Sequence, residues 1–179
     1  VEPDMAVLGK AMGNGYAITA ILGRREIMEA AQNTFISSTF WTERIGPVAA
    51  LKTLEIMERE KSWEQITDIG NCVRKGWREL ESEHRLPIAI SGLPSLSSFR
   101  FESENALEYK TLITQEMLAR GYLATNSIYT SIAHTPDLVD DYLMELDSVF
   151  ALIKECDEGR DVLSLLNGPV CHATFKRLN

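Results

Sequence analysis

No apolar run in this chain approaches the roughly 20 residues a membrane-spanning helix needs, and no basic segment followed by an apolar one opens it. The expectation is no membrane partner. Positive charge is also scarce. Lys and Arg total 18 against 26 Asp and Glu, a net charge of −8, which argues against nucleic acid or an anionic surface as a partner. Cysteine is rarer still. Cys72, Cys156 and Cys171 are odd in number, widely spaced and without a C-x-x-C pair, so reduced cytoplasmic thiols are expected, with neither a disulfide framework nor a metal site. Repeats and low-complexity stretches are absent. What remains is ordinary for a globular protein: 45% apolar and 25% charged residues over 179 positions. A chain of this length can bury about 70% of its unfolded surface.

The chemistry-bearing stretch is Pro3-Asp4-Met5-Ala6-Val7-Leu8-Gly9-Lys10-Ala11-Met12-Gly13-Asn14-Gly15. Met5 to Leu8 reads as a buried strand of a parallel sheet, closed by Gly9. Lys10 follows at once, at the usual ligand side of an α/β fold. Gly13, Asn14 and Gly15 are a pattern that permits φ > 0 and close backbone approach to a ligand. A free lysine at pH 7 is a neutral amine in only about one molecule in 2,500, so covalent work here requires burial, a neighbouring cation or an existing imine. A nucleotide phosphate loop is excluded by spacing, because that loop needs Ser or Thr directly after its lysine and Ala11 stands there.

Further on, Ser37, Ser38, Thr39 and Thr42 precede a helix. Such hydroxyls read either as helix caps or, with free N–H groups, as a phosphate site. From Glu43 to Lys61 one broad apolar face predicts that helix. A second helix runs from Ser62 to about His84, with Trp77 on its inner face and His84 at a solvated end. Strands are expected at 88–92, 96–101, 122–125 and 128–132, and helices at 106–119 and from Thr135-Pro136 to about 159. Residues 168–178 read as irregular, either an extended cover or a frayed end.

The ordered string from Pro3 to Gly15, followed by Ala20-Ile21-Leu22-Gly23-Arg24-Arg25-Glu26-Ile27-Met28-Glu29, resembles the class III pyridoxal-phosphate aminotransferases, and within them the glutamate-1-semialdehyde aminomutase group. The resemblance implies a fold-type I α/β transferase. It also implies that Lys10 forms the internal aldimine with pyridoxal 5′-phosphate and moves the proton during amino-group transfer. Thr39, with Ser38 beside it, would hold the cofactor phosphate of the neighbouring subunit in a homodimer. Gly13, Asn14 and Gly15 would shape the lysine loop, and a small-molecule amino donor and acceptor would be the substrates. The family continues after its threonine with glycine, asparagine and proline, where this chain has Thr42, Glu43 and Arg44. Ala133-His134-Thr135 matches the aminomutase group, in which the histidine is a domain-closing residue. The resemblance covers essentially the whole chain but only the C-terminal part of the family's length. Residues 1–61 are therefore read as the end of the large cofactor-binding domain, 62–159 as the small α+β domain and 160–179 as a tail. The alternative function is a non-catalytic aminotransferase-like dimerisation or regulatory module.

Overall fold

The computed structural model describes residues 2–36, 39 and 42–173. They fall into two units, Val1–Ser62 and Trp63–Asn179.

In the first unit, strand β1 (Met5–Leu8) pairs antiparallel with β2 (Ala20–Gly23), Met5 facing Gly23 and Leu8 facing Ala20. The sequence predicted a buried strand of a parallel sheet; the structure corrects both points. The connection, residues 9–19, falls short of the dozen or more residues that a parallel crossover takes. Two strands alone also give no cover, so Val7 remains 67% exposed. Helix α1 (Arg25–Met28) continues as a 3-10 turn over Glu29–Asn33, and its Ile27 is exposed. Helix α2 (Ile45–Glu60) starts two residues later than predicted and carries Pro47 in its first turn, where a missing N–H costs nothing. Gly46 and Ala50 are its buried residues, while Val48, Leu51 and Leu54 are exposed.

The second unit has its own core. Helix α3 (Ser62–His84) leads into an antiparallel sheet of order β3-β4-β5, with β3 at Ile88–Leu93, β4 at Leu96–Phe101 and β5 at Ser127–Tyr129. Helix α4 (Ala106–Ala119) lies between β4 and β5 in the chain, and α5 (Pro136–Asp157) follows. This helix, strand, strand, helix, strand, helix order has one strand fewer than the sequence reading, which placed two between α4 and α5. The alternation Phe99-Arg100-Phe101 puts both rings inside and the guanidinium outside. Trp77 of α3 meets Phe99 edge-on at 4.8 Å, and Phe101 meets Tyr109 of α4 at 5.4 Å. Each such ring contributes about 2–3 kcal/mol through burial. Trp77 Nε1–H donates to the Tyr142 hydroxyl of α5 at 3.1 Å, so the one polar atom of the buried indole is satisfied. Gly70 lets α3 touch the Pro94 carbonyl, which a Cβ would meet at 1.9 Å.

The predicted strand at 122–125 does not form. Asn126 occupies both backbone groups of Phe99: its carbonyl accepts the Phe99 N–H at 2.9 Å and its Nδ2 donates to the Phe99 carbonyl at 2.7 Å. The ladder therefore ends at Asn126, and the preceding residues stay irregular. At the other end Thr130 turns its hydroxyl to the Ile66 and Ser95 carbonyls, which stops β5 short of the predicted Ile132. His84 is a second correction. It is not solvated: its Nε2 lies 2.6 Å from Asp147 Oδ1 and its ring packs on Phe150, joining the end of α3 to α5. Beyond α5, a 3-10 turn at Val162–Leu165 buries Val162 in the core. Gln115 of α4 donates to the Leu165 carbonyl and accepts from the Asn167 N–H, and Thr111 accepts from the Cys171 N–H. As far as Ala173 the segment is an extended cover pinned to α4; the rest of the predicted tail lies outside the described residues.

Candidate functional site

Lys10 opens a single 3-10 turn, Lys10–Met12, directly after β1. The Met12 N–H donates to the Gly9 carbonyl, and the Gly13 and Asn14 N–H groups both donate to the Lys10 carbonyl at 3.2 Å. This winding puts Lys10 at φ +51, Asn14 at +46 and Gly15 at +107. A non-glycine residue in the left-handed region carries about 1–2 kcal/mol of strain, and it persists only where its surroundings hold it. Asn14 tolerates the conformation and Gly15 has it freely. Gly13 differs from the sequence-based reading. Its φ is −89, so its need is for space: a Cβ there would lie 2.1 Å from the Tyr16 carbonyl oxygen and 2.7 Å from Ile18 Cγ2.

The Lys10 side chain is exposed, and its amine makes no hydrogen bond or ion pair among the described residues. Among those residues no cluster of His, Cys, Asp and Glu could hold a metal ion, and no helix is long and apolar enough to cross a membrane. Lys10, Gly13, Asn14 and Gly15 thus share one turn. Thr39 is exposed in a turn of the same unit; Ser38 lies outside the described residues.

The start of α2 brings a residue that the sequence reading passed over. Glu43 Oε1 accepts from the Ile45 N–H at 2.5 Å and its Oε2 from the Gly46 N–H at 3.1 Å. The N–H groups of Ile45, Gly46 and Arg44 hold this carboxyl below the usual carboxylate range. Pro47 has no N–H, and the Val48 N–H already donates to the Arg44 carbonyl. The first turn of α2 is therefore occupied by the chain's own anion, which corrects the expectation of free N–H groups there for a phosphate. A Glu two positions before the first helical residue is the signal that could have revealed it.

Arg24 pairs with Asp4 at 3.1 Å and with Glu2 at 3.7 Å. In the second unit, His134 borders a cleft of about 610 Å³ lined by Tyr122, Leu123, Ile128, Tyr129 and Tyr142. Its Nδ1 accepts the Ser131 N–H at 3.0 Å, so in the neutral ring the proton sits on Nε2.

The sequence and the fold match a known group. The sequence model of the class-III aminotransferases fits residues 1–145, and the chain belongs to that family. It is 31% identical over 159 residues to a 3-aminobutyryl-CoA aminotransferase of Cloacimonas acidaminovorans, covering 82% of this chain and 38% of that protein. It is 28% identical over 171 residues to a glutamate-1-semialdehyde 2,1-aminomutase of Methanothermobacter thermautotrophicus, covering 86% and 40%. Among solved structures, the internal aldimine form of FumI from Sphingopyxis sp. MTA144 superposes with a TM-score of 0.79 at 24% identity, covering 92% of this chain and 40% of that one. The likeness extends to a transaminase with PLP bound, TM-score 0.76 at 20% identity. The fold is that of the fold-type I transferases, and the chain spans about 40% of the length of the relatives it matches.

Proposed function

We propose that this chain is the C-terminal part of a pyridoxal-phosphate-dependent transaminase or 2,1-aminomutase, with residues 1–61 ending the large domain and 62–159 forming the small one. The observation that carries the reading is Lys10: an exposed amine with no acidic partner among the described residues, presented by a left-handed turn at the end of a strand. The donor set fits the cofactor, since a primary amine meets an aldehyde and the Thr39 hydroxyl meets a phosphate oxygen.

Pyridoxal phosphate supplies, when bound, an aldehyde carbon that exchanges amines and a ring that takes up electrons. Lys10 Nζ would hold that carbon, and as a free amine it would accept the proton from the substrate carbon and hand it back, so one residue would serve as covalent anchor and as acid and base. Thr39, with Ser38 beside it, donates to the phosphate, serving the neighbouring site of a homodimer. Gly13 to Gly15 keep the turn beside Nζ free of side-chain bulk. The free thiols of Cys72, Cys156 and Cys171 accord with a reducing cytoplasm, and the substrates are small-molecule amino donors and acceptors.

The test uses the full-length protein. Added pyridoxal phosphate gives an absorbance band towards the visible edge, and Lys10→Ala abolishes it. A wild-type protein without the band would move the assignment to a non-catalytic module.

A further inference from the structure

The lysine turn is held from outside itself. Ile18 stands between two glycines: a Cβ at Gly13 would fall 2.7 Å from Ile18 Cγ2, and a Cβ at Gly46 would fall 3.2 Å from Ile18 Cβ. Gly46 also sits against the Ala17 carbonyl oxygen, 2.6 Å from where its Cβ would be. Both glycines are buried. Gly13 in turn donates its N–H to the Lys10 carbonyl. A continuous contact thus runs from the first turn of α2 through Ile18 and Gly13 to the Lys10 backbone. What fixes that first turn is Glu43, whose two carboxylate oxygens span the Ile45 and Gly46 N–H groups.

We propose that Glu43 is a positioning residue for Lys10: by tying down the first turn of α2 it keeps Gly46 against Ile18 and Ile18 against Gly13, and so keeps Lys10 in the left-handed turn that presents its amine. The inference rests on the reading of Lys10 as the covalent anchor. The left-handed conformation supplies the reason a holder is needed, because a lysine released from the contact would relax to negative φ. Glu43 touches no reacting atom; it acts through the glycine contacts.

The test is a titration of the full-length protein with pyridoxal, which lacks the phosphate and so reads the lysine alone. The readout is the dissociation constant of the Lys10-dependent absorbance band. Glu43→Gln and Ile18→Ala each should weaken pyridoxal roughly fivefold or more, the factor corresponding to the strain at one left-handed residue, while the band at saturation keeps its full amplitude. Glu43→Asp should restore most of the affinity, since a shorter carboxylate still reaches N–H groups two and three residues on. Thr135→Ala, a destabilising change in the second unit, should leave the constant unmoved. Constants within twofold of wild type in both Glu43→Gln and Ile18→Ala would overturn the proposal, as would a loss of amplitude without a change in the constant. If Lys10→Ala leaves the wild-type band intact, the function reading fails and this inference fails with it.

Discussion

At the scale of single residues, the lysine turn and the buried indole make the sharpest statements. Gly13→Ala would drive a methyl to 2.1 Å from the Tyr16 carbonyl oxygen. Backbone cannot yield there as a side-chain tip would, so this variant should lose the Lys10-dependent band of the full-length protein while the second unit keeps its melting temperature. Tyr142 provides a pH handle. Burial pushes its hydroxyl from an ordinary value of 10 up to about 12. The folded state therefore retains the proton that the unfolded state loses between those values, and stability is full below about pH 10 and falls as pH rises towards 12. A rise of that size corresponds to about 3 kcal/mol. Alkaline unfolding followed by circular dichroism should show this loss, and Tyr142→Phe should remove its pH dependence. The same variant, at pH 7, leaves Trp77 Nε1 without its acceptor and should cost about 1–3 kcal/mol. Glu43 works in the opposite direction: with its carboxyl held low, the contact is complete at neutral pH and is lost as pH falls through the lowered value. The placement of Lys10 in a glycine-flanked turn was legible because lysine and glycines are adjacent in the chain. That of Glu43 was not, since it depends on α2 beginning at Ile45 rather than at Glu43 itself, and a start two residues away changes a helical residue into a cap.

At the scale of elements, local signals were read well and pairings between distant segments less so. Helix α4 spans the residues that the sequence suggests, 106–119, but the Asn105 side chain makes no cap bond, and the residue that accepts at its start is Ser103, through the Asn105 N–H. Thr135 caps α5 by accepting the Leu138 N–H at 3.2 Å, with Pro136 in the first position. Thr135→Ala should lower the unfolding free energy by about 1 kcal/mol, and Thr135→Ser should recover most of it, as measured by denaturant titration. The strand at 122–125 was misread because its β-like composition cannot reveal that Asn126 uses its side chain to close the ladder on Phe99. His84 was misread for a similar reason: its partner, Asp147, lies 63 residues away. The sheet also protects one edge with side chains. Arg74 donates to the Gly92 carbonyl, and Glu81 accepts the Ile88 N–H, blocking β3 from pairing with another chain.

At the scale of the whole chain, the two units differ in how they are held together. The second buries Trp77, Phe99, Tyr109, Phe150 and their neighbours almost completely. Among its described residues the first buries little beyond Gly13, Gly46, Ala50 and Ser62, and leaves Val7, Leu51 and Phe35 at 67%, 69% and 95% exposure. Amide exchange on the 179-residue chain should accordingly show strong protection in α3, β4, α4 and α5 and weak protection in β1, β2 and α2. Strong protection of β1 and β2 would contradict this division. The isolated chain is also expected to turn over no amino donor, whereas the full-length protein should. The central claim, that Lys10 carries the cofactor, is tested most directly by borohydride reduction of the full-length protein with pyridoxal phosphate, followed by mass-spectrometric mapping. A stoichiometric reduced cofactor adduct on the peptide containing Lys10 is the expected result. An adduct scattered over Lys52, Lys75 and other surface lysines, with Lys10 unlabelled, would contradict it.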